Sequence, residues 1–409
     1  MNKNRRDFLV QGLATTSLVS FGAAAPNFLQ QAALAAEDGK TQRVLVVVQL
    51  SGGNDGLNTV VPYKQPIYRQ ARPTLAVPAA DVLSISDELG LHPALGGLND
   101  LLDDNQLAII QGVGYPNPNR SHFESMDIWH SCQRKTEVRE QGWLGRYLES
   151  SLPAAEGAMP GLHLGREKQP LALRSRKVQV PSVQSLDQFR LLTGGQDSSG
   201  KSLESLASRK PESRDDLLDF VADSTRSAVA ASRQLAEAAR GKASGVPYPE
   251  TALASKLQVV ASLIDSPLMT RIFYVTLDGF DTHARQQAAH ASLLGQLNGA
   301  MAAFARDLRA RDQADRVLTL CFSEFGRRLK ENASEGTDHG AAAPLLLVGP
   351  AVRAGLHGEL PSLEDLDQGD LKYHTDFRSV YSTVLENWLQ SKSRPVLGAD
   401  FQPLPLLDV

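Results

Sequence analysis

The sequence predicts an α/β protein: a mixed, mostly parallel sheet with helices on both faces and an inserted cap region. Three observations carry that expectation. Short apolar runs recur along the chain, at Arg43 to Leu50 (RVLVVVQL), Leu107 to Val113 (LAIIQGV), Arg271 to Leu277 (RIFYVTL), Val317 to Phe322 (VLTLCF) and Pro344 to Val348 (PLLLV). Runs apolar on both faces suit strands buried inside a parallel sheet. Each run delivers a polar cluster at its C-terminal end, the first being Ser51-Gly52-Gly53-Asn54-Asp55-Gly56. Helical patterns fill the intervals, clearest in Leu293, Leu297, Met301, Phe304 and Leu308, whose three- and four-residue spacing builds one apolar stripe. Strand and helix in alternation imply a sheet covered on both faces.

Taken in order, residues 1–35 read as an address. Arg5-Arg6 before Asp7-Phe8-Leu9 forms a twin-arginine signal, Phe8 to Ala25 is apolar but diluted by Gln11, Thr15 and Ser17, and Ala33-Leu34-Ala35 offers a small-residue cleavage site. The expected mature domain is 36–409, carried to the periplasm or beyond by the twin-arginine translocase, which moves proteins already folded. Loss of Lys3, Arg5, Arg6 and Asp7 takes the formal charge from −4 to −6. No second stretch approaches the roughly 18 apolar residues a span needs, so no stable membrane span is expected after cleavage.

The whole chain has 42 Lys+Arg against 46 Asp+Glu and no long single-sign block, which argues against a nucleic-acid partner. A small-molecule or ester substrate, or another exported protein, fits that balance. Cys132 and Cys321 match no Cys-x-x-Cys pattern, and their spacing leaves open whether they pair. From about Leu152 to Ser266 the pattern changes. Pro153, Pro160, Pro170 and Pro181 interrupt it, Thr193 to Ser202 reads as an exposed loop, and Asp215 to Gly241 as one or two helices. This stretch, about 152–266, is expected to be a cap inserted into the sheet domain.

Ligands of open α/β sheets bind outside the carboxyl ends of the strands. The first run gives Asn54, Asp55 and Asn58 there; the second leads to Arg120-Ser121-His122-Phe123-Glu124 at a helix start. The Arg271 run gives Asp278-Gly279-Phe280-Asp281-Thr282-His283, and the Val317 run gives Ser323-Glu324-Phe325-Gly326-Arg327. Thr337-Asp338-His339-Gly340 stands just before the Pro344 run. Carboxylates and imidazoles together suit divalent ions such as zinc or manganese, and two ions about 3.5–4 Å apart can clamp a phosphoryl transfer. Any one of these carboxylates, taken singly, is more simply a turn or cap residue. Ser121-x-x-Glu124 is a capping box, and equally a hydroxyl held at a helix N-terminus, where an anion binds well. Trp129, Trp143 and Trp388 read as packing residues, Arg327 and Arg328 as surface or capping residues, and Asp376 as the cap of the last helix.

These segments, LSGGNDGLNTVVP (Leu50 to Pro62), RSHFESMDIW (Arg120 to Trp129), GFDTH (Gly279 to His283), SEFGR (Ser323 to Arg327), TDHG (Thr337 to Gly340) and DFRSVYSTVLENWL (Asp376 to Leu389), resemble in order an exported bacterial family, the domain-of-unknown-function family numbered 1501. That family is similar in fold to the alkaline phosphatase and sulfatase superfamily. The resemblance implies a metal-dependent hydrolase or phosphotransferase acting on phosphate or related esters, with Ser121 as nucleophile and Arg120 and His122 beside it. It implies metal ligands Asp281, His283 and His339 for one ion, and Asp55 and Glu324 with Ser121 for a second, Glu324 standing where the superfamily has an Asp-His pair; alternatively Asp338-His339 is that pair, and Asp278 replaces Asp281. The second site lacks the superfamily's histidine, which leaves a non-catalytic periplasmic binding or assembly module as the alternative. Formylglycine-type sulfatase chemistry is not expected, because neither Cys132-Gln133-Arg134 nor Cys321-Phe322-Ser323 fits its C/S-x-P-S-R signature.

Overall fold

The computed structural model describes residues 42–134, 137, 139–151, 159–183, 244–266 and 268–409. The expected twin-arginine leader, exposed loop (Thr193 to Ser202) and helical stretch (Asp215 to Gly241) lie outside the described residues.

Eleven strands matter for the site: β1 (Val44–Ser51), β2 (Leu107–Gly114), β3 (Gly161–Leu164), β4 (Ser182–Val183), β5 (Ile272–Asp278), β6 (Val317–Ser323), β7 (Arg327–Glu331), β8 (Thr337–His339), β9 (Ala343–Val348), β10 (Gly355–His357) and β11 (Thr375–Asp376). The main sheet runs β10-β2-β9-β6-β1-β5-β3-β4, with β11 beside β2. Every pairing in it is parallel except those of β9, which is antiparallel to both β2 and β6. The reason lies in the connection. Between β6 and β9 the chain makes the small antiparallel hairpin β7–β8 in place of a crossover helix, and without a crossover a returning strand pairs antiparallel. The Pro344 run therefore presents its start, not its C-terminal end, at the edge where β1, β5 and β6 finish.

Among the described residues, the helices that cover the sheet include α1 (Gly96–Asp103), α2 (His122–Ser131), α3 (Trp143–Ser151), α4 (Ala252–Ile264), α5 (Gln286–Ala310) and α6 (Phe377–Thr383). Alternation along β1 sorts them. Val44, Val46, Val48 and Leu50 join one core with Leu98, Leu257, Leu297, Met301 and Phe304 of α1, α4 and α5. Leu45 and Val47 join the other, with Trp129, Tyr147 and Tyr381 of α2, α3 and α6. Each fully buried aliphatic of these layers is worth about 1.5–3 kcal/mol. Trp129 stacks between Phe322 and Phe377, and Trp143 on Tyr381, so the tryptophans are packing residues.

Three parts of the stretch expected to be a cap join the sheet and its helices. Gly161–Leu164 is β3, paired with β5; Ser182–Val183 is β4, paired with β3; and Ala252–Ile264 is α4, with seven residues buried. A four-residue strand flanked by Pro160 and Pro170 is too short to show a period. Cys132 and Cys321 are both free and buried, on opposite faces of the sheet, and do not pair. No helix among the described residues is long and apolar enough to cross a membrane.

Candidate metal centre

At the carboxyl edge, the chain leaves β1 through Gly52 and Gly53, both at positive φ (115° and 77°). A Cβ on Gly52 would stand 2.4 Å from the Asp281 backbone nitrogen, so glycine is what lets the β1 and β5 loops touch. Arg327, read from sequence as a surface or capping residue, is buried at this junction. Its guanidinium donates to the carbonyls of Gly53 (2.7 Å), Thr337 (2.7 Å), Phe280 (2.9 Å) and Gly52, and to Asp281 Oδ1 (2.8 Å). One side chain thus ties together the loops after β1 and β5 and the β8 strand.

Around Asp281 Oδ1 stand three imidazoles. His283 Nε2 and His339 Nε2 are each 3.1 Å from it, and His122 Nε2 is 3.3 Å away but out of line for a hydrogen bond. The Nδ1 atom of every ring faces an oxygen: His122 donates to Glu324 Oε1 (2.8 Å), His339 to the Arg120 carbonyl (2.8 Å), and His283 Nδ1 lies 3.4 Å from Asp338 Oδ1. With the proton held on Nδ1, the Nε2 lone pairs point inward together. Second oxygens that fix the tautomer in this way are characteristic of histidines that ligate metals.

The ligand atoms of His122, Asp281 and His339 all lie within 4.8 Å of one another, and His283 Nε2 is 2.8 Å from His339 Nε2. Two imidazole nitrogens that close need a proton or a cation between them. Burial raises the Asp281 carboxyl, but the hydrogen bond from Arg327, with the facing His339 ring, outweighs it and holds the group down at about 2. The hydrogen bond to Glu324 raises His122, whereas desolvation lowers His339. The buried His122 Nε2 has no hydrogen-bond partner. An ionised carboxylate, converging imidazole lone pairs and that orphaned nitrogen are a donor set that fits a divalent cation.

The remaining expected residues fall elsewhere. Asp55 is fully buried, with Oδ2 taken by Arg72 Nη1 at 2.6 Å and by the Gln286 amide. Burial pushes its carboxyl up, and the Arg72 charge overcomes this and lowers it. Glu324 accepts from the Gly52 N–H (2.9 Å), the Ser323 hydroxyl (3.1 Å) and His122, which places it behind the imidazole ring. Of the second group implied by resemblance, Asp55 is held by Arg72 and Gln286, Glu324 by Gly52, Ser323 and His122, and Ser121 stands at the start of α2. Asp278 caps its own loop by accepting from the Gly279 N–H (2.8 Å), and Asp338 stands behind His283.

Ser121 is the N-cap of α2, yet its exposed hydroxyl makes no capping bond, and Glu124 pairs with Arg139. The capping box is therefore not formed as expected. Arg120 donates to Asp370 Oδ2 (2.7 Å), and its carbonyl orients His339. His122, placed by sequence beside the nucleophile, is a member of the cluster. No spacing pointed to Arg72, because its partner lies 17 residues upstream in another loop.

The family model described as "Protein of unknown function (DUF1501)" matches residues 42–391. No curated protein matches the chain. Solved structures similar to it include the C-terminal periplasmic domain of EcEptC from Escherichia coli in complex with Zn, at 9% identity over 76% of this chain and 74% of that one, with a TM-score of 0.38. The PsFucS1 sulfatase from Pseudoalteromonas sp. is 10% identical over 91% and 72%, with a TM-score of 0.39. A protein in the alkaline phosphatase superfamily from Vibrio parahaemolyticus is 10% identical over 91% and 78%, with a TM-score of 0.36. At such distances these likenesses say nothing about activity.

Proposed function

The chain belongs to the DUF1501 family, whose description assigns no activity, and from its own site we propose an exported hydrolase or phosphotransferase of phosphate or related esters that works with one divalent cation. The observation that carries the reading is the convergence of His122, His283 and His339 Nε2 on Asp281, with each Nδ1 turned toward an oxygen. Those four residues would hold the ion. Zinc or manganese suits three imidazoles and one carboxylate. Bound there, the ion supplies Lewis acidity toward an ester oxygen. The chain's own groups do the rest: Arg327 fixes Asp281, Glu324 and the Arg120 carbonyl aim two of the rings, and Ser121, exposed and free of a capping bond, is the candidate nucleophile. One ion rather than two follows from Arg72, whose guanidinium neutralises Asp55. The twin-arginine leader supports export.

The test is metal content by mass spectrometry on protein purified without chelator, followed by a phosphoester and sulfoester panel. One equivalent in wild type, absent from Asp281→Asn and His339→Ala, with hydrolysis abolished in Ser121→Ala, is the expected result. No bound metal in wild type overturns the reading and favours a binding or assembly module.

A further inference from the structure

A second feature of the carboxyl edge is a cavity of about 520 Å³ whose wall includes Gln49 and Ser51 of β1 and Asp278 of β5. It adjoins the imidazole cluster through shared turns. Ser51 is followed by Gly52, which abuts Asp281, and the Ser51 carbonyl accepts from the Phe280 N–H at 3.0 Å. Gln49 is only 7% exposed. Its side-chain oxygen is occupied: the Tyr274 hydroxyl donates to it, and His130 Nε2, 2.9 Å from that hydroxyl, stands 3.2 Å from it. The buried His130–Tyr274 pair thereby fixes which way the amide faces. Among the described residues, no partner falls to its Nε2, although Gln49 borders the cavity. That amide N–H₂ is not among the sealed polar atoms of the interior, so it is open at the cavity wall and free to donate to water or to a ligand there.

The rest of the wall says what kind of ligand. Lys256 donates to the Thr276 carbonyl at 2.9 Å and lies 3.7 Å from Glu167, while Lys168 and Asp278 add one further charge of each sign. The charges cancel, so an ionic ligand gains nothing net. Gln49, Gln296 and Ser51 offer neutral donors and acceptors, and Leu253 and Leu277 offer apolar floor. A hydrocarbon would strand the polar groups. A ligand carrying hydroxyls on a compact carbon frame satisfies both surfaces.

We propose that this cavity binds the polyhydroxylated part of the substrate, a sugar or polyol group, with the Gln49 amide donating to one of its hydroxyls. As a statement about the substrate, it rests on the ester-hydrolase reading; as a binding site, it stands on the cavity alone.

The test is saturation-transfer NMR and calorimetry on the mature protein with myo-inositol and methyl glucoside, using cyclohexanol and acetate as controls. Both polyols bind and neither control does. Gln49→Leu and Gln296→Leu each weaken polyol binding by about tenfold, the loss of one hydrogen bond. His339→Ala retains wild-type affinity, because that residue belongs to the cluster and not to the cavity wall. Gln49→Leu leaves the His130–Tyr274 bond in place; should it misfold by circular dichroism, Gln296→Leu decides. Absence of polyol binding in wild type, equal binding of a control, or unchanged affinity in Gln296→Leu overturns the proposal. A wild type that binds polyols but holds no metal keeps the pocket and removes the ester-hydrolase reading.

Discussion

Arg72 and Asp55 meet at 2.6 Å with neither side chain exposed, and the carboxylate keeps one oxygen, Oδ1, without a partner. Removing only the cation strands a buried charge. Arg72→Met is therefore expected to cost about 3–5 kcal/mol in urea unfolding, and adding Asp55→Asn should return a large part of it. Additive losses in the double variant would show that the pair is not coupled. Gly52→Ala is expected to lose the metal as well as stability, because a Cβ there meets the Asp281 backbone; a variant with full metal content would contradict that account. These two residues also mark where the sequence was legible. Asp281, His283 and His339 could be named because each sits in a short polar cluster beside an apolar run. Arg72 could not, since nothing local distinguishes an arginine that ends a short surface-looking helix from one that neutralises a buried carboxylate.

Among the elements, α6 shows a cap that the sequence announced. Asp376 accepts from the Arg378 N–H at 2.9 Å and also holds the Arg378 guanidinium. Asp376→Ala should lower stability by about 0.5–2 kcal/mol in thermal melts while leaving metal content unchanged. Five strands were readable because each carries at least four apolar residues within five to eight positions. β3 was not, being four residues long, and its sequence, Gly-Leu-His-Leu, carries a histidine that the sheet buries and bonds to Ser182 at 2.7 Å. The direction of β9 was hidden for another reason. Periodicity reports which faces of a strand are covered and is silent on polarity, which here follows from the β7–β8 hairpin. That reversal is what brings His339, the last residue of β8, to the edge just before β9 begins.

For the molecule as a whole, two buried imidazoles set the response to acid. Desolvation lowers His130 to about 3 and His290 to about 4, against a usual 6.5. The unfolded chain takes up these protons near pH 6.5 and the folded chain only near 3–4, so stability is complete above 6.5 and declines as pH falls through that window. The loss by pH 5 is of the order of 2 kcal/mol per histidine. Urea midpoints at pH 7 and 5 measure it, and His290→Gln should flatten the slope; an unchanged slope would remove His290 from the account. Arg327 has a consequence of a different kind. It joins carbonyls as distant in sequence as Gly52, 275 residues away, and the cluster it steadies draws on loops from across the chain. Such long-range closure comes late in folding. A chain emerging from the ribosome, or threaded unfolded through a membrane, has no metal site at all; the ion can be selected only where folding finishes. If export follows the twin-arginine route and the proposed site takes a cation, that place is the cytoplasm, and its metal supply decides which ion is carried out.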